Sequence, residues 1–113
     1  MQLPLIIPQT RQELENGLLV YNSPKDWGML FFNVSAIHTK GMKYTIDVVC
    51  LDKDGSVLYI AEVSPGVPYF TYPGTEHILE MGLKESQRYN IFLGSRLTVQ
   101  LAPGFPIANI ISP

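Results

Sequence analysis

Proline and glycine recur so often along this chain, nine of each in 113 residues, that no long helix fits between them. Proline removes an N–H and fixes φ, and glycine loses the most conformational freedom on ordering, so both punctuate regular structure. What remains is a series of short segments, many rich in β-branched and aromatic residues and bounded by turn signals. Helical patterning is confined to two places. Thr10 to Asn16 carries a capping-box pattern, Thr10 with Glu13, and Gly17 fits its C-terminal cap. Lys84 to Tyr89 has room for a single turn.

The strands follow from the intervals. Gln2 to Ile7 is extended, and Pro4 restricts it to a sheet edge. Gly28 to Val34 is apolar, and Ala36 to Thr39 continues the sheet before a turn at Lys40 and Gly41. Tyr44 to Leu51 is apolar on both faces except at Asp47, the signature of a central strand. It joins Ser56 to Val63 through Asp52-Lys53-Asp54-Gly55, a hairpin turn with glycine where positive φ is needed. Ser64 to Gly74, with Pro65, Gly66, Pro68 and Pro73, reads as a stiff irregular loop. Glu76 to Leu83 is a strand, and Gly94-Ser95 turns the chain into a last one, Leu97 to Leu101. Residues 102–113, with Pro103, Pro106 and Pro113, form a poorly fixed tail. The pattern predicts one all-β domain over residues 1–101, a small antiparallel sandwich or barrel with one or two short helices.

Composition narrows the function classes. Hydrophobic residues make up 46% of the chain and charged residues 16%, which describes a globular domain with a sizeable core. A net charge of -2, without a run of Lys or Arg, gives no field for nucleic acid or an anionic membrane. The single Cys50 precludes an internal disulfide. Met1 to Pro8 lacks the basic lead-in of a secretion signal, and no apolar run reaches the ~18 residues of a membrane span. A cytoplasmic location is the expectation.

The residues able to carry chemistry gather around one segment. Asp47 sits between Ile46 and Val48, where an unsatisfied polar group is costly. It is either a functional carboxylate or a structural acceptor that fixes a neighbouring loop. His38, at a strand end beside Lys40, is a metal ligand, a proton carrier or an edge cap. His77 in Glu76-His77-Ile78-Leu79-Glu80 matches no zinc spacing, so neither a metal nor another cofactor is expected. Cys50 and Asp47 are three apart and point to opposite sides of a strand, which disfavours a Cys-His-Asp arrangement. Trp27 and Tyr69 offer flat apolar walls for a ligand or cover the core.

The order Gly17-Leu18-Leu19, Gly28-Met29-Leu30-Phe31-Phe32, His38-Thr39-x-Gly41-Met42 resembles the prokaryotic "domain of unknown function 192" family. Ile46-Asp47-Val48-Val49-x-Leu51-Asp52-x-Asp54-Gly55, Leu79-Glu80 and Gly94-x-x-Leu97 continue the likeness, which spans about residues 11–99. It implies a compact jelly-roll-like β fold and transfers no reaction. Positions matching the family pattern are His38, Gly41, Met42, Asp47, Asp52, Gly55 and Glu80, with Gly41, Met42, Asp52, Gly55 and Glu80 read as structural. Thr45, Cys50, Lys84 and Ser95 depart from it, standing where proline, phenylalanine, glycine and aspartate are common.

Three functions compete at this level. The leading one is a non-enzymatic binding module for a small ligand or peptide, held between the Ala36–Lys43 and Ser64–Gly74 loops by His38, Lys40, Asp47, Trp27 and Tyr69. The second is a hydrolase using His38 and Asp47 as a proton-transfer pair. The third is an assembly domain pairing through the N-terminal strand or the Ile107, Ile110 and Ile111 tail. The oligomeric state is left open.

Overall fold

The structure, a computed structural model, describes residues 1–101 and 103–113. Its elements run β1 (Gln2–Ile6), α1 (Arg11–Asn16), β2 (Gly28–Phe31), β3 (Ala36–Ile37), β4 (Ile46–Leu51), β5 (Val57–Val63), β6 (Phe70–Thr71), β7 (His77–Gly82), α2 (Glu85–Arg88), β8 (Arg96–Leu101) and β9 (Pro106–Ile111). A 3₁₀ turn over Gly17–Val20 follows α1 directly. Seven strands form one sheet in the order β5-β4-β7-β2-β1-β9-β8, and β3 pairs with β6 in a small second sheet.

The mainly β prediction holds, but the large sheet is mixed rather than purely antiparallel. β1 and β2 run parallel, with Leu5 opposite Gly28 and Ile6 opposite Met29. Parallel neighbours need a crossover of a dozen or more residues. Here residues 7–27 supply it, carrying α1 and the 3₁₀ turn over one face of the sheet. The expected capping box is formed at α1: Thr10 Oγ1 accepts from the Glu13 N–H at 3.1 Å, and Glu13 Oε1 accepts from the Thr10 N–H at 3.1 Å.

The sheet curls until its outer strands approach each other. They meet at one end only, through a bridge between Ser56 and Arg96 and a hydrogen bond from the Val57 N–H to the Ser95 carbonyl at 2.8 Å. Among the described residues there is no ladder between β5 and β8, so a closed barrel is not formed. The β4–β5 hairpin turn is as expected: Asp52 Oδ1 accepts from the N–H groups of Asp54 and Ser56, and Gly55 has φ +84°. A side chain at Gly55 would also place its Cβ 2.3 Å from the Leu97 carbonyl oxygen.

Two cores result, one on each face. Leu3, Leu5, Leu30, Val49, Leu51, Leu79, Met81, Leu97 and Ile110 fill the concave side. Leu18, Met29, Phe31, Ile46, Val48, Cys50, Val63 and Ile78 fill the other, beneath the crossover and the small sheet. β4 contributes to both and is buried at every residue.

Two expectations are corrected. β1 is not an edge strand, because Gln2 to Pro4 pair with β9 while Leu5 and Ile6 pair with β2. Pro4 stands where one partner gives way to the other, so its missing N–H interrupts neither ladder's continuation. Residues beyond 102 are not a loose tail: β9 lies between β1 and β8, with Ala108 and Ile110 buried. Pro103 and Pro113 fall outside this strand and Pro106 is its first residue, where a proline is tolerated. Ala102 lies outside the described residues. Ile107 is partly buried, Ile110 is buried and Ile111 is about half exposed, so these residues belong to a strand of the sheet rather than to a free tail.

A chain ending at residue 105 should therefore lose its cooperative thermal transition rather than merely change its oligomeric state. Circular dichroism melts of the truncated and full-length chains check this. A truncated chain melting within a few degrees of the full one would show that β9 is dispensable.

Candidate functional site

The register of β4 against β7 decides where the two buried carboxylates go. Asp47 is opposite Met81, and Val48 is opposite Glu80. Directly opposed residues share a face and neighbours along a strand alternate. Asp47 therefore projects to the concave side and Glu80 to the side beneath the crossover.

Asp47 is fully satisfied. Its Oδ1 accepts from the Lys84 N–H at 3.1 Å, and its Oδ2 accepts from the Ser86 N–H at 3.0 Å and the Ser86 hydroxyl at 2.5 Å. These donors lie at the start of α2, so the carboxylate acts as a cap from a distant strand. It is the structural acceptor described as one of its two roles, and the loop it fixes is 84–86. His38 is exposed on the other side of the sheet, and its Nδ1 accepts from the Lys40 N–H at 3.1 Å. The proposed His38–Asp47 proton-transfer pair is thus not assembled: Asp47 is held by Lys84 and Ser86 on the concave side, and His38 follows β3 of the small sheet and lines a different cavity.

The cleft expected between the 36–43 and 64–74 loops is also absent. Thr39, fully buried, stitches those loops together: its hydroxyl donates to the Ser64 carbonyl at 2.6 Å and accepts from the Val67 N–H at 2.9 Å. Its N–H donates to the Val67 carbonyl at 2.8 Å, and its carbonyl accepts from the Gly66 N–H at 2.9 Å. The cavity opens instead on the other side of the 36–42 segment, facing the crossover. It has a volume of about 190 Å³ and apolar walls that include Leu18, Phe31, Val34, Ile37, Met42 and Ile46. His38 and Lys40 line it together with Glu15 and Asn16.

Glu80 also lines this cavity and is only 4% exposed. Its Oε1 lies so close to Gly17 that an added Cβ there would be 3.0 Å away, and Gly17 has φ +52°. Glycine at this position lets the crossover backbone settle onto the carboxyl group. Burial pushes the Glu80 pKa up to about 7, and a hydrogen bond from the Leu18 backbone only partly opposes that shift. Among the described residues Glu80 enters no ion pair. Tyr44 holds the lid of the site in place, its hydroxyl shared between the carbonyls of Leu18 at 3.2 Å and Tyr21 at 3.0 Å. The Tyr44 pKa is raised by burial and, secondarily, by the Glu80 charge.

The remaining sequence candidates scatter. Trp27 is part-buried against the core and edge-on to Tyr21, with ring centroids 5.1 Å apart. Tyr69 is 69% exposed and does not line the cavity. Met42 does, while Gly41 has the expected positive φ, +81°. Cys50 is buried in the core, and burial raises its thiol pKa. Among the described residues no group of three His, Cys, Asp or Glu is placed to hold a metal ion. A wider groove of about 600 Å³ runs between β5 and α2, lined by Ile60, Ala61, Phe92 and Leu93, but the Asp47 carboxylate within it is already bonded to Ser86.

Sequence reasoning had Glu80 only as a structural position and missed Thr39 and Gly17 as site-forming residues. A glutamate flanked by Leu79 and Met81 in a β-rich run was the available signal, the same kind that drew notice to Asp47.

A model of the family DUF192, described as "Uncharacterized ACR", matches residues 2–99. No match is found among curated proteins. The fold is similar to that of a crystal structure of a candidate transcription regulator from Sinorhizobium meliloti 1021, with a TM-score of 0.71 and 20% identity, covering 83% of this chain and 79% of that one. It is similar also to a protein of unknown function from Novosphingobium aromaticivorans DSM 12444, with a TM-score of 0.69 and 20% identity, covering 81% and 71%. At this identity the likeness establishes the fold alone. The longest helices of the described residues are far too short to cross a membrane.

Two measurements follow from the carboxylates. Asp47→Asn replaces an acceptor-only group that takes three hydrogen bonds with one that also brings donors, and should cost about 1–3 kcal/mol in urea unfolding. A neutral effect would mean that the α2 cap is not holding. For Glu80 the folded pKa, about 7, lies above the unfolded value of about 4.3. Its protonated form is therefore favoured by folding, and stability is highest below the unfolded pKa and declines as pH rises to about 7, by roughly 2–4 kcal/mol in all. Glu80→Gln should remove that decline and be the more stable protein at pH 8. Parallel pH–stability curves for the two proteins would sink this reading.

Proposed function

The chain belongs to the uncharacterised DUF192 family, and from that premise we propose that it is a non-enzymatic binding module for a small ligand. The observation that carries the reading is the cavity between the crossover and the sheet, whose mainly apolar walls hold a deeply buried carboxyl group that enters no ion pair among the described residues. Apolar walls with a few placed polar groups are the usual makeup of ligand sites. A buried polar group left without a full set of partners is costly unless something returns those partners. A bound ligand does so.

Volume selects a small molecule over a peptide. At about 190 Å³ the cavity is below the range of drug-sized sites and close to the ~150 Å³ that admits a benzene-sized guest. His38 and Lys40 contribute at its lining as contacts, in keeping with their exposure. Asp47, Trp27 and Tyr69 have no part in it. The regulator's description belongs to that relative in fold and supports no nucleic-acid role for this chain.

The test is a fragment screen by ¹⁵N–¹H correlation spectroscopy on the wild type and on Ala36→Leu, which adds bulk to a cavity wall in β3. Binders should shift the amides of Gly17, Leu18 and His38, and Ala36→Leu should weaken them at least tenfold while keeping a native spectrum. If every binder instead shifts Phe92 and Leu93, the site is the β5–α2 groove and the proposal fails.

A further inference from the structure

Resting on that reading of the cavity, we propose that its ligand is a small organic ammonium ion, a primary amine on a compact apolar body of about six to eight heavy atoms. The argument is from what the cavity offers and lacks. A carboxylate presents about four lone-pair directions and no donor. Glu80 Oε1 rests against the crossover backbone at Gly17, which leaves acceptor capacity of the carboxylate to the cavity. Its buried walls, Leu18, Phe31 and Ile46, carry no side-chain hydrogen-bond donor, and the donors that also line the cavity, Asn16, His38 and Lys40, are half-buried or exposed.

An ammonium head meets each of these conditions. It supplies three donors and the opposite charge in a water-poor site, where a charge-assisted hydrogen bond is strongest. Phe31 adds an aromatic wall beside the carboxylate, and an aromatic face attracts a desolvated cation. An anion would face the buried Glu80 carboxylate. A neutral alcohol would satisfy some acceptors and leave the charge uncompensated. The other titratable groups facing this region are Glu15 on α1, Tyr44 before β4, and His38 and Lys40 beside β3.

Three ring compounds of similar shape make the experiment: cyclohexylamine, cyclohexanol and cyclohexanecarboxylate, each titrated at pH 8 into wild type and Glu80→Gln. Amide shifts of Gly17 and Leu18 report the location. The expected result is that cyclohexylammonium binds at least tenfold more tightly than either analogue, and that Glu80→Gln abolishes this preference. Equal or tighter binding of the alcohol or the carboxylate overturns the ammonium assignment while leaving the cavity as a ligand site. Failure of all three to shift those amides, with other fragments also silent there, removes the binding reading itself. A measurement on the wild type alone guards against a variant that folds poorly. Calorimetry on the wild type at pH 8 should show the same tenfold preference for cyclohexylamine over cyclohexanol and cyclohexanecarboxylate, and its absence overturns the proposal.

Discussion

Everything in this molecule hangs on β4 being buried on both faces. A strand covered on one side can turn its polar residues to water, whereas here every residue of Ile46–Leu51 is removed from solvent. Ile46, Val48 and Cys50 feed one core and Val49 and Leu51 the other, so the two layers are built from alternate side chains of one strand. The neighbouring β7 is nearly as enclosed. Any ionisable residue in this pair must find partners inside the protein or stay uncharged.

The two carboxylates of the pair meet that constraint in opposite ways. Asp47 faces the start of α2 and takes three hydrogen bonds from Lys84 and Ser86, which fixes the helix to the sheet. Glu80, one position out of register and on the other face, meets only the backbone of the crossover. The first is closed and rigidifies the fold. The second keeps its acceptor capacity directed into a cavity. The parallel pairing of β1 with β2 is what makes this possible, because it obliges residues 7–27 to cross that face and bring Gly17 and Leu18 over β7.

Local chemistry was legible in the sequence wherever a few adjacent residues decide the outcome. Thr10 with Glu13 specifies the α1 cap, and Asp52 with Gly55 specifies the β4–β5 turn, since each is complete within a handful of positions. The family resemblance was legible too, on ordered motifs that run through most of the chain. Long-range pairing was not. Pro4 looks like an edge residue until the partners on its two sides are known, and Pro103, Pro106 and Pro113 look disruptive until they are seen to bracket a strand rather than interrupt it. Asp47 attracted attention because it stands out in an apolar run, but contrast within a run cannot say which buried carboxylate will be satisfied. That depends on Ser86 and Gly17, residues 39 and 63 positions away from the carboxylates they meet.

The place of β9 also bears on how the protein is made. β1 is synthesised before the other strands of the sheet, yet one of its two neighbours lies about a hundred residues later in the chain. At translation rates of about 5–20 residues per second, the main-chain groups that β1 offers to β9 wait on the order of 5–20 s for their partner. During that interval Leu3 and Leu5 belong to a core with no far wall. The β4–β5–β7 portion, joined by shorter connections, has its pairing residues available well before then. Assembly of this sheet is therefore divided in time, with an early half that can form during synthesis and a late half that must stay out of aggregation until residues 106–111 arrive.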